Sequence, residues 1–166
     1  MSAIERLRSR SFSWEDPHTS AAAAREMSGL QCMRAIIDGT LPPPPIARLL
    51  EFSVLEVEHG RAVFAVEPAE WMYNPIGVVH GGVAATLLDS CMGCAVHTTL
   101  DAGVGYTTTD LQVRYVRAIG EDTGRVLAEG RVVHAGRRTA TAEGRLFVEE
   151  GRALLAHAST GCAILR

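Results

Sequence analysis

The sequence predicts an α+β fold in which one antiparallel sheet wraps a long buried helix. Two observations carry this. The stretch from Gly82 to about Leu100 is apolar almost all round (Val83, Ala84, Leu87, Leu88, Cys91, Met92, Ala95, Val96), and a helix apolar on every side is buried on every side. Around it lie a strand pair before and a series of Val- and Thr-rich strand-like runs after, separated by glycine turns. Segregated elements of this kind make α+β layers rather than alternating βαβ units.

Residues 1–18 are mixed and polar with no clear period, and read as loosely held. Thr19 or Ser20 can cap a helix running to about Asp38. Met27, Leu30, Met33, Arg34 and Ile37 fall near helical spacing, with Gly39 as the stop. Pro42–Pro45 forces an extended segment, because each residue before a proline is pushed out of the α region. Ile46 to Phe52 can form a short helix. Ser53–Glu58 and Ala62–Glu67, joined by His59-Gly60-Arg61, carry a hairpin signal. A loop from Pro68 to Gly81 leads into the buried helix. Thr107–Arg117, Arg125–Ala135, Thr139–Glu149 and Ala153–Leu165 follow as strands. The expected division is a helical, proline-ended extension over 1–48 and the sheet-and-helix domain over 49–166.

Composition narrows the function. The chain has 166 residues, 47% hydrophobic and 21% charged, as ordinary globular domains have. Aromatics are only 5%, so the core must be aliphatic. A net charge of −3 gives no electrostatic footprint for nucleic acid. The apolar stretch Val78–Val96 contains His80, Gly81, Gly82 and Asp89. A central Asp costs about 2.5–3.5 kcal/mol on insertion scales, so no membrane span is expected. Met1–Arg8 carries charges where a leader would carry its apolar run, and a cytoplasmic location is the expectation. Cys91-Met92-Gly93-Cys94 is formally C-x-x-C, but it lies inside the helix rather than at its N-terminus, and no second pair completes a zinc site. Buried reduced thiols are expected, together with Cys32 and Cys162. The remaining histidines show no metal-ligand spacing, and no metal is expected.

The most informative stretch is Asn74–Asp89. Asn74 sits in a Pro/Gly turn with Gly77, His80-Gly81-Gly82 opens the helix, and Asp89 stands among apolar neighbours. A carboxylate buried without a partner is costly, so its presence needs a reason. The first N–H groups of a helix have no internal partner and, with the helix dipole, favour developing negative charge. Thioester hydrolysis develops such charge on the carbonyl oxygen, and Gly81 and Gly82 let a substrate approach the backbone closely. Asp89 lies eight residues past Gly81, about 12 Å along a helix axis. One carbonyl cannot touch both in the same chain.

The order of elements and Asn74, Gly77, His80-Gly81-Gly82 and Thr86-Leu87-Leu88-Asp89 together resemble the hotdog-fold acyl-CoA thioesterases of the phenylacetate-degradation type. The resemblance covers roughly Leu49 to the C-terminus and is sharpest over Asn74–Asp89. It implies a hotdog fold, hydrolysis of an acyl-CoA to free CoA and a carboxylate without cofactor, and a site built across a homodimer. Asp89 there faces Asn74, His80 and Gly81 of the other copy, and dimers pair into tetramers in many relatives. Asp89 would activate a water as general base or attack as a nucleophile. His80 has two open readings: it orients Asn74 or the thioester, or it bonds a backbone group and holds the loop. A hydroxyl at the start of the next strand would hold the water. Counting from Asp110 selects Thr108, and an offset from Asp89 selects Thr107. Arg137-Arg138 reads as a solvated hairpin tip or as a grip on CoA phosphates. The other functions this fold allows are a non-catalytic acyl-CoA-binding protein and an enoyl-CoA hydratase. The second wants a His a few residues from the Asp, and none follows Asp89 before His97.

Overall fold

The computed structural model describes residues 7–166. Most of the charged opening stretch that informed the location therefore lies outside the described residues. No helix is long and apolar enough to cross a membrane among them.

Six antiparallel strands form one sheet in the order β1-β2-β4-β5-β6-β3. They are β1 (Ser53–Glu58), β2 (Arg61–Val66), β3 (Gly105–Tyr115), β4 (Val126–Ala135), β5 (Thr139–Val148) and β6 (Leu154–Leu165). A long helix, α4 (Gly81–His97), lies against it and touches every strand from β2 to β6. Leu88, Cys91, Met92, Ala95 and Val96 of α4 are wholly buried. The sheet reaches the helix closely because Gly130 and Gly144 face it: a Cβ on Gly130 would strike the Cys91 backbone, and one on Gly144 would meet Met92. Along β5, Ala140, Ala142 and Leu146 point inward while their neighbours face out, the period-2 alternation of a half-covered sheet. The predicted strands and central helix all appear, with ends shifted by three residues or fewer.

The N-terminal region differs from the expectation. One helix from about 19 to 38 is instead two, α1 (Pro17–Ala24) and α2 (Gly29–Ile37). Asp16, not Thr19 or Ser20, caps α1 by accepting from the His18 N–H at 2.9 Å. Ser28 and Gln31 form a reciprocal capping box on α2. The break is fixed by docking onto the C-terminal end of α4. The Gly29 N–H donates to the Leu100 carbonyl at 3.0 Å, and a Cβ on Gly29 would collide with the His97 carbonyl. We expect Gly29→Ala to cost about 1–3 kcal/mol by overpacking, a fall in Tm of about 2–4 °C per kcal/mol for a chain of this size. A thermal melt with unchanged Tm contradicts that docking.

Pro44 is extended with ψ 154°, and Pro45 opens the short helix α3 (Pro45–Leu50) at its first turn, where a missing N–H costs nothing. Residues 7–16 carry no helix or strand. They are tied down by Arg10, whose guanidinium donates to the Leu49 carbonyl at 2.6 Å, pairs with Glu51 at 2.8 Å and lies 3.6 Å over the Trp71 ring. Met33 and Ala47 join the same core as Phe52, Leu88 and Met92, so the extension and the sheet share one interior.

Candidate active site

The loop before α4 is built by Asn74. Its Oδ1 accepts from the Ile76 and Val78 N–H groups at 3.1 and 3.3 Å, and its own N–H donates to the Val78 carbonyl at 2.8 Å. Gly77, at φ +81°, permits this turn where a side chain would be strained. The Asn74 side chain is thus half structural. Its Nδ2 has no acceptor among the described residues and remains a donor for another molecule. Backbone bonds from Val79 to Ile119 and from His80 to Met72, both 2.8 Å, pin the end of the loop.

His80 is the N-cap of α4. Its Nδ1 accepts from the Gly82 N–H at 2.9 Å, the backbone-holding role of the two readings left open by the sequence. Its ring is exposed. The Gly82 N–H is therefore spent within the loop. The Gly81 N–H has no acceptor among the described residues and is the donor the helix end offers. The Tyr115 hydroxyl donates to the Gly81 carbonyl at 3.0 Å, and its ring lies 3.1 Å from where a Gly81 Cβ would be. Sequence reasoning missed Tyr115, which the strand register alone brings to the helix start.

Asp89 is half-buried on the face of α4 that the sheet leaves open. The Thr108 hydroxyl donates to Asp89 Oδ1 at 2.9 Å. Thr107, its neighbour on β3, is exposed and pairs with Ala163. A bulge then follows: Thr108 pairs with Cys162 and Asp110 with Gly161, leaving Thr109 extra. Of the two hydroxyls the sequence offered, Thr108 is the one against Asp89.

Tyr106 completes this side of the helix. Its ring lies 5.6 Å from that of His97, and a Cβ on Gly93 would come 2.8 Å from its hydroxyl. Burial, then the neighbouring Cys94, pushes its phenol up. Burial also pushes the Cys94 thiol up to about 12 and raises Cys91. All four cysteines are free, so the C-x-x-C is a pair of neutral core thiols, as read from the sequence.

Arg137 and Arg138 are exposed in the β4–β5 turn. Arg137 borders a cleft of about 310 Å³ with Thr99, Leu100, Asp101 and Arg166, at the C-terminal end of α4. That is about 24 Å along the helix from Gly81. Among the described residues no cluster of His, Cys, Asp and Glu could hold a metal ion. One helix thus presents two separate groups, the Gly81 N–H and the Asp89 carboxylate held by Thr108, about 12 Å apart along its axis.

Residues 76–155 match the model of the Thioesterase superfamily. The six-stranded sheet laid against α4 is a hotdog fold. A phenylacetic acid degradation-related protein from Ralstonia eutropha JMP134 superposes with a TM-score of 0.71 at 25% identity, covering 79% of this chain and 98% of that one. The PaaI protein of Escherichia coli, from the phenylacetic acid degradation operon, superposes at 0.72 with 17% identity, covering 84% and 94%, and shares the fold. A "putative esterase" from Halobacterium salinarum is 41% identical over 69 residues, 40% of this chain. The chain spans 44% to 63% of the length of the curated relatives it matches. The matched superfamily region includes Gly81, Asp89 and Thr108, whereas Asn74 and the whole N-terminal extension lie outside it.

Proposed function

We propose that the protein is an acyl-CoA thioesterase whose two active sites each form between two copies of the chain. The observation that carries this reading is the Thr108–Asp89 hydrogen bond on the open face of α4, with an unpartnered Gly81 N–H two turns earlier. Asp89 of one copy would then meet Gly81 and Asn74 of the other. The Gly81 N–H and the helix dipole stabilise the oxyanion, and Asn74 Nδ2 donates to the carbonyl or the water. As general base, Asp89 takes a proton from water as the water oxygen attacks the thioester carbon; the C–S bond of the tetrahedral intermediate then breaks, and the CoA sulfur leaves as thiolate and takes up that proton. As nucleophile, Asp89 attacks the carbon and the C–S bond breaks to give thiolate and an acyl–Asp89 anhydride, which water then hydrolyses, releasing the carboxylate, restoring Asp89 and supplying the proton of the thiol.

Two features support assembly. Among the described residues strand β3 is an edge, paired only with β6, and an unpaired edge is a template for another chain. The open face of α4 beside it presents Gly82, Ala85, Thr86, Asp89 and Ser90. Pairing of dimers into a tetramer, a cytoplasmic location and a cofactor-free reaction belong to the same proposal. Arg137 and Arg138, placed at the far end of α4, would reach CoA phosphates only on a substrate laid along the helix.

Free-thiol release from a panel of acyl-CoA esters tests the proposal: turnover supports it, and binding without turnover makes the protein an acyl-CoA binder instead. Hydration of an enoyl-CoA without thiol release would assign the hydratase. Thr108→Val should lower kcat by about 10- to 100-fold, because it removes a hydrogen bond to a charged group worth roughly 1.5–3 kcal/mol. Thr108→Ser should restore most of it. Equal loss in both variants would make Thr108 a packing residue.

A further inference from the structure

The loop that carries Asn74 and leads to Gly81 is closed at its base. The His80 N–H donates to the Met72 carbonyl at 2.8 Å, and Tyr73 bridges Val79. That base is a single 3₁₀ turn, Glu70–Met72, which buries Met72 in the core and leaves Trp71 at the surface. A residue far away in the chain meets it there. The Arg10 guanidinium lies 3.6 Å over the Trp71 ring. Its nitrogens donate to the Leu49 and Arg48 carbonyls at 2.6 and 3.4 Å and pair with Glu51 at 2.8 Å. The two carbonyls belong to the last turn of α3, where a helix end leaves acceptors without internal partners. Glu51, the C-cap, has a left-handed backbone at φ 53°, uncommon for a residue with a side chain. A planar fork with a face that stacks on an indole makes all these contacts at once, and an ammonium does not. Trp71 is 39% exposed even with Arg10 over it, so the guanidinium is one of the contacts that fix its orientation.

We propose that Arg10 is a positioning residue for the reaction: through Trp71 it fixes the base of this loop, and with it the aim of the Gly81 N–H and of Asn74 Nδ2. The path is short. Trp71 precedes Met72, the Met72 carbonyl holds the His80 N–H, and Gly81 is the next residue. The other ties on the loop come from the turn after β3. The Val79 N–H donates to the Ile119 carbonyl at 2.8 Å, and the Glu70 N–H to Glu121 Oε1 at 3.0 Å. Arg10 brings the N-terminal segment and the end of α3 into the same arrangement. A donor to an oxyanion works only when it is aimed, and a misplacement of about 1 Å can cost about 10²-fold in rate. The assignment rests on the thioesterase reading and adds to it a residue that acts through the loop rather than on the substrate. Arg10 and Trp71 both lie outside the region that matches the superfamily, so this clasp is carried by this chain's own residues.

The test is steady-state thiol release well below the melting temperature of each variant. Arg10→Ala should lower kcat by about tenfold and leave KM within about twofold of wild type. Trp71→Leu should do the same, and it carries the test if Arg10→Ala does not fold. The double variant should lose no more than either single one, because both remove one clasp. Trp71→Phe keeps an aromatic face and should retain most of the activity, whereas Arg10→Lys keeps the charge without the fork and should not. Arg8→Ala breaks only an exposed pair with Glu70 and should leave kcat unchanged. A strap that is merely structural would lower the Tm and leave kcat of the folded enzyme alone. Unchanged kcat in folded Arg10→Ala or Trp71→Leu, or losses that multiply in the double variant, overturn the assignment. Should the wild type release no thiol from any ester, the thioesterase reading fails and the clasp is judged by amide hydrogen exchange. Arg10→Ala should then speed exchange by about tenfold over residues 72–81 and leave β4 and β5 unchanged. Equal exchange in variant and wild type overturns the clasp as well.

Discussion

Asp89→Asn should lower kcat by roughly 10²–10⁴-fold, the usual worth of a positioned general base. Asn keeps the size of the side chain and still offers an oxygen to the Thr108 hydroxyl, so the fold and the assembly should survive. The loss should fall on kcat and leave KM near its wild-type value, because the carboxyl acts in the transition state rather than in holding the substrate. Steady-state kinetics with a thiol reagent, beside a thermal melt, read both. Near-wild-type kcat in the folded variant would remove Asp89 from the chemistry.

Gly81→Val should be nearly as severe, at about 10²–10³-fold in kcat, the worth of one oxyanion-hole donor. The reason is geometric. The Gly81 N–H is the donor at the helix start left without an acceptor, and a side chain there meets the Tyr115 ring at 3.1 Å from its Cβ alone. Two further methyls push the peptide off its line and stand in the path of the carbonyl. Tyr115→Phe separates the two effects, since it removes the hydroxyl that donates to the Gly81 carbonyl and leaves the N–H uncovered. Its loss should be smaller than that of Gly81→Val. A Gly81→Val enzyme that retains kcat would place the oxyanion elsewhere.

Much of the fold was legible because its periods are strong. The all-round apolar run of α4 and the alternation in β5 leave few other solutions. The site was legible in its spacing, because Asn74, His80-Gly81-Gly82 and Asp89 combine residue types that separately mean little. Three features were hidden, each for a physical reason. Ala21–Ala24 and Met27–Leu30 keep a helical appearance across the α1–α2 break, which is decided by a contact with His97 far along the chain. Thr107, Thr108 and Thr109 are chemically identical, so the sequence gives no phase, and the bulge that sets it lies in the pairing with β6. Asn74 Oδ1 and His80 Nδ1 are spent on backbone N–H groups of the loop and helix start, and only the hydrogen bonds show which atoms of each side chain are left.

The central claim is that neither copy of the chain holds a complete site. Mixing Asp89→Asn subunits with Gly81→Val subunits tests it most directly. Each variant should be nearly inactive alone. Unfolded together and refolded, half of the randomly formed dimers are mixed, and one of the two sites in each mixed dimer has both residues intact. Activity should recover to about a quarter of wild type on random isologous pairing. No recovery, with mixed dimers shown to be present by mass, would contradict the account: each subunit would then build its own site, and Asp89 and Gly81 could not both serve it across about 12 Å of helix.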